Sequence, residues 1–174
     1  EIFKEQTELE GLNLLRNSIE EISWNAFANN SKLKVLFLNG NKLSQIDEKL
    51  VKNLTKLEKL DLSDNQLTEV NNNTFEALKC LEDLKISKNK LKCLDPNLFK
   101  NISRLKKVYF NMNEIVEIDS AVFKSLENLE ELGLHNNKIK EIDTSAFESL
   151  FNLKWLFLHE NELTKIDSKL FNNL

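Results

Sequence analysis

Hydrophobic and polar positions along the chain recur with a single period of 24 residues. Stepping by 24 from Leu9 meets Leu33, Leu57, Leu81, Leu105, Leu129 and Leu153. Three residues further on lie Leu12, Leu36, Leu60, Leu84, Val108, Leu132 and Leu156. Two beyond those come Leu14, Leu38, Leu62, Ile86, Phe110, Leu134 and Leu158. Asparagine then holds the ninth position of every register, at Asn17, Asn41, Asn65, Asn89, Asn113, Asn137 and Asn161. Two more apolar columns follow, from Ile19 to Leu163 and from Ile22 to Ile166. A Phe column follows, Phe27, Phe75, Phe99, Phe123, Phe147 and Phe171, in which Val51 is the one substitute. The registers run without insertion or deletion, and a period of this size marks a repeat architecture.

Elementary geometry turns the period into a shape. The fourth and sixth positions are both apolar, so they share one face of a short strand. If every register returns the chain to the same place, the strands stack in parallel as the sheet of a solenoid. The asparagine stands where the chain turns out of the strand. Its amide has two donors and an acceptor, which predicts a ladder of bonds to backbone groups of its own and adjacent coils. The Phe column is expected to fill the wider, convex side. Aspartate at the fifteenth position (Asp47, Asp95, Asp119, Asp143, Asp167) is placed to start a turn or cap a short helix carrying the Phe.

The pattern LxxLxLxxNxLxxIxxxxFxxLxx resembles the leucine-rich repeat family, in its 24-residue extracellular-type variety, over essentially the whole chain. The resemblance implies an α/β fold. It is a leucine-rich repeat solenoid, or horseshoe, with a concave parallel β-sheet and a convex side of short helices and turns. Residues 1–174 then form a single domain of about seven repeats starting at Leu9. The I-D-x-x-x-F phrase is similar to arthropod members: Toll-type ectodomains, chaoptin-like adhesion proteins and mosquito immune leucine-rich-repeat proteins. They imply an extracellular recognition module, secreted or part of a membrane receptor, with a protein ligand on the concave face and an innate-immune, receptor or adhesion role. Leucine-rich repeats also serve as intracellular scaffolds or regulatory subunits, which is the alternative. Phe3 lies 24 residues before Phe27 and Leu174 lies 24 after Leu150, so the chain begins inside an earlier coil and its last coil is nearly complete. Neither end carries cysteine-rich caps, and the expectation is a window of a longer solenoid.

Composition agrees with this picture. Three Gly and one Pro contrast with the roughly 12 and 9 of average usage. The chain has 32 Leu and 24 Asn instead. A hydrophobic fraction of 41% with 11 Phe argues against disorder. So little glycine leaves no phosphate-binding loop to build. The net charge of −4 makes no electrostatic case for nucleic acid or an anionic membrane. No apolar run is long enough to insert in a bilayer, and the charged start EIFKEQTE is no secretory signal. Motifs for catalysis are missing, so neither an enzyme nor a cofactor is expected. His135 and His159 lie one coil apart, but only Glu160 is near and its strand phase is wrong, so no metal site is expected.

Binding residues follow from strand phase, because residues between the core leucines face out of the sheet. Lys59 and Asp83 become lateral neighbours there, as do Asp61 and Lys85, in a self-paired centre. The C-terminal end is aromatic. Trp155, Phe157, Tyr109 and His159 are the leading partner contacts, with His135 beside them and Gly133 leaving a shallow notch between Tyr109 and Phe157. Phe37, with Val35 and Leu15, forms a second, smaller patch. Asn29, Asn53, Asn72 and Asn101 begin Asn-x-Ser/Thr sequons, candidate glycosylation sites. Cys80 and Cys93 fall outside the core columns, too far apart along the strand path to bridge.

Overall fold

A computed structural model describes residues 2–174. The elements in chain order are β1 (Gly11–Asn13), β2 (Val35–Phe37), α1 (Glu48–Val51), β3 (Lys59–Asp61), β4 (Asp83–Lys85), β5 (Lys107–Tyr109), β6 (Glu117–Ile118), β7 (Glu131–Gly133), β8 (Glu141–Ile142) and β9 (Trp155–Phe157). A 3-10 turn, Ser168–Phe171, follows. β1, β2, β3, β4, β5, β7 and β9 form one parallel sheet in that order. Its register is the sequence period: Leu12 pairs Leu36, Leu36 pairs Leu60, and Leu132 pairs Leu156. β6 and β8 make a second, two-stranded parallel pair.

The apolar columns all point inward. Phe27, Phe75, Phe99, Phe123 and Phe147 are completely buried, with Phe99, Phe123 and Phe147 stacked at 6.2 Å between ring centroids. Val51 fills its smaller slot from α1. In the first and last coils the same columns, Leu12 and Leu156 among them, are only partly buried.

The asparagine ladder is present as the sequence predicts. Asn89 accepts from the Leu67 N–H at 2.9 Å and donates to the Leu62 and Ile86 carbonyls at 3.1 and 3.2 Å. Asn113 repeats the arrangement with Leu91, Ile86 and Phe110. From Asn41 to Asn161 each amide thus links backbone groups of two coils that the turn would otherwise strand, while Asn17 bonds carbonyls of its own coil. Just before each ladder asparagine the chain takes a left-handed conformation. Only Gly40 (φ 69°) is glycine there; Arg16, Asp64, Lys88, Met112, Asn136 and Glu160 hold φ between 53° and 59°. A non-glycine residue in this region costs roughly 1–2 kcal/mol. The scarcity of glycine is therefore met by local strain, repeated in every coil but the second and held by the ladder.

Most of the convex side is turns; among the described residues α1 is its only α-helix. Segments of four residues cannot sustain helix on their own. The aspartate column caps them. Asp47, Asp95, Asp119, Asp143 and Asp167 accept from the N–H two residues on, at 2.8–2.9 Å.

Candidate functional site

β5, β7 and β9 carry the aromatic end of the concave face. Trp155 is 58% exposed and lies parallel to half-buried Phe157, their planes 6° apart and their centroids 6.3 Å apart. His135 stacks on His159 at 4.4 Å, and Phe157 meets both edge-on, at 5.9 and 6.5 Å. Two rings on β9 and two just past the ends of β7 and β9 thus form one continuous platform. Contacts of this kind stiffen side chains before any ligand arrives.

The structure places Tyr109 differently from Trp155. Its ring leans across Gly133, where an added Cβ would sit 2.6 Å from Tyr109 Cδ1. Gly133 is buried as a result, and the notch expected from the sequence is filled by the Tyr109 ring. The Tyr109 hydroxyl donates to one oxygen of Glu131, and Lys107 donates to the other. Burial first, and then Glu131, hold the phenol well above its ordinary pKa. Glu131 is correspondingly held below the usual carboxylate range by the bonds from Lys107 and Tyr109. Lys85 completes the setting, its Nζ 5.9 Å from the Tyr109 ring centre. Glu131 and Lys107 were not among the candidates from sequence. Their signal was there in the lateral row, one coil apart with opposite charge.

The centre of the face is charged and largely self-contained. Lys59 pairs in register with Asp83, and Asp61 with Lys85, as expected. The ion pairs fall elsewhere, a hydrogen-bonded one at Lys107–Glu131 and a looser one at Lys85–Asp83, 4.0 Å along one strand. Burial raises the Asp83 pKa against the pull of Lys85, Lys107 and Lys59, and its Oδ1 has no hydrogen-bond partner. Toward β2, half-buried Phe37 and Leu15, 40% exposed, border a concavity of about 390 Å³ shared with Lys59, Asp61 and Lys85. Phe37 is therefore remote in the sheet from the platform around Phe157, three strands lying between β2 and β7.

His135 is tucked into the face. Its Nδ1 is buried without a partner, and burial, then the neighbouring His159, holds its pKa below the ordinary value. Among the described residues no group of three His, Cys, Asp or Glu is arranged to hold a metal. Both cysteines are free thiols; Arg104 reaches Cys80 Sγ at 3.7 Å. All four sequon asparagines are exposed. Asn29 and Asn53 use Nδ2 to bond the Lys4 and Ala28 carbonyls, at 3.2 and 2.9 Å, and Asn101 bonds Glu76. No helix among the described residues is long and apolar enough to cross a membrane.

Comparison with known proteins adds family and neighbours. A family profile described as a BspA type leucine rich repeat region, with six copies, matches residues 1–130 and 44–174. No curated protein matches the chain. Among solved structures, the TLR13–ssRNA13 complex is 28% identical with a TM-score of 0.91, over 97% of this chain and 24% of that one. Toll of Drosophila, solved with Spatzle, is 26% identical with a TM-score of 0.88, over 96% of this chain and 24% of that one. The internalin inlF of Listeria monocytogenes is 29% identical with a TM-score of 0.79, over 95% of this chain and 46% of that one. The chain thus spans about a quarter of the two Toll-type chains and under half of the internalin. Period, ladder, parallel sheet and profile agree, and the chain belongs to the leucine-rich repeat family.

Proposed function

We propose that this chain is an extracellular protein-recognition module that receives a protein ligand on the C-terminal end of its concave face. The observation that carries the reading is Trp155, 58% exposed on a strand, braced by parallel Phe157. Large, rigid aromatics of this kind supply most of the binding energy at protein interfaces. His159 and His135 extend the platform, and Tyr109, pinned by Glu131, forms its inner wall. Phe37 offers a secondary contact. The net charge of −4 and the paired lysines of the centre favour protein over nucleic acid as ligand. Similarity to Toll, a protein of development and innate immunity by its structure's description, supports a receptor, adhesion or immune role. Exposed sequons at Asn29, Asn53, Asn72 and Asn101 fit a secreted glycoprotein or a receptor ectodomain. A second reading, an intracellular scaffold, draws on the two free thiols, which fit a reducing compartment.

The test pairs an interaction screen with two variants. The immobilised chain is screened against purified secreted proteins and ectodomains, and a hit is measured with Trp155→Ala and Phe157→Ala. Each variant is expected to weaken binding by about 30-fold, the equivalent of a hot-spot loss of ~2 kcal/mol. Unfolding in urea should stay nearly unchanged. A loss of stability with unchanged affinity makes the two rings packing residues and removes the platform as the site.

A further inference from the structure

Away from the concave face, the first two coils border a partly open cavity of about 250 Å³. Its floor is apolar, with Leu43, Ile46 and Leu50 buried beneath it. Its wall is Trp24, 59% exposed. The repeat supplies an internal control for that tryptophan. The same position holds Glu48, Asn72, Pro96, Ser120, Thr144 and Ser168 in the later coils. None of these is large and apolar, so the fold does not require an indole there. Single exposed apolar residues are ordinary on protein surfaces. This one differs because it walls a partly open cavity beside unneutralised charge.

The charge identifies what the cavity takes. Glu20, Glu21 and Asp47 line it, and no lysine or arginine does. Lys42 pairs with Glu20 at 3.2 Å. Glu21 has no ion pair among the described residues. Asp47 spends one oxygen on the Lys49 N–H. An apolar guest would desolvate these carboxylates without compensation. A planar cation suits all parts of the cavity together. Its face stacks on the indole, its edge donates to carboxylate oxygens, and its aliphatic stem lies along half-buried Ile22. The volume lies below the roughly 300–1,000 Å³ typical of small-molecule sites and suits one long side chain.

We propose that Trp24, Glu21 and Asp47 form a socket for an arginine side chain presented by a partner protein. The socket lies outside the concave face, and its test does not depend on what binds there. The experiment is an NMR titration of the isotope-labelled chain with three blocked tripeptides, glycine flanking arginine, citrulline or lysine. The arginine peptide is expected to shift the Trp24 indole N–H saturably, while the Trp155 indole serves as an internal reference. Neutral citrulline should bind about five-fold more weakly or worse, as should the arginine peptide to Glu21→Gln. The Glu21 and Asp47 backbone amides should shift with it, and in Trp24→Ser, which installs the residue of later coils, they should no longer respond while the unfolding midpoint stays in place. Equal binding of citrulline, an unchanged affinity in Glu21→Gln, or an equal shift at Trp155 overturns the socket. Tighter binding of the lysine peptide overturns the guanidinium assignment.

Discussion

Asn89 shows what a single residue does here. Its one amide serves the Leu67 N–H and the Leu62 and Ile86 carbonyls, all in the interior. Asn89→Ala is expected to cost about 1–3 kcal/mol, because those groups lose their partner without gaining water. Urea unfolding measures it, and a neutral result would remove the ladder as a source of stability. His135 makes a pH prediction of the opposite legibility. Its period marked it as the neighbour of His159, but the buried, unpartnered Nδ1 appears only in three dimensions. Its pKa is depressed in the fold, so the unfolded chain takes the proton first. Its contribution is therefore present above the unfolded value of about 6.5 and is lost as pH falls through that value and the lower folded one. Melting temperatures should drop between about pH 7 and pH 5, and His135→Phe should flatten that drop. Asp83, raised by burial, works in the other direction at lower pH, so the difference between wild type and variant isolates the histidine.

At the scale of elements, the pairing of β5 with β7 carries a constraint that no single strand shows. Gly133 is the residue opposite Tyr109, and the ring occupies the space that a side chain would need. Gly133→Ala is expected to cost about 1–3 kcal/mol by overpacking, since the Tyr109 ring must leave its bond to Glu131. In a Tyr109→Ala background the same change should cost much less, and a double-mutant cycle reads that coupling. Additive effects would mean that the ring and the glycine are independent. The left-handed turns belong to the same scale. Gly40, Asp64 and Asn136 are residue types that favour it, whereas Arg16, Lys88, Met112 and Glu160 adopt it without any residue preference. At those four positions the conformation is imposed by the strand exit and the ladder around it, and local sequence carries no sign of it.

For the whole molecule, stability is a sum over neighbouring coils, and position along the stack sets the value of each contact. Phe123 is completely buried between Phe99 and Phe147, while Phe171 in the last coil is 38% exposed. Phe123→Ala should cost about 3–5 kcal/mol, and Phe171→Ala less than half of that. Equal losses would contradict nearest-neighbour stacking. The exposed ladder of ion pairs between coils, Lys34–Glu10, Lys106–Glu82 and Lys154–Glu130, contributes little by comparison, since solvent screens each pair.

The sequence by itself determined the fold of this protein, because the same 24-residue pattern is written once per coil. The columns of Leu and Phe, the asparagine ladder and the aspartate caps all follow from period and side-chain chemistry, and the structure shows each of them in place. Strand phase also named the outward residues of the sheet. It could not say how those residues lean. Whether Tyr109 projects or lies on Gly133, which lysine Glu131 holds, and that Trp24 walls a cavity between two coils depend on side chains from different registers meeting across a few ångströms. Period is a property of one chain direction. Contact between coils is a property of packing, and only the tertiary structure decided it.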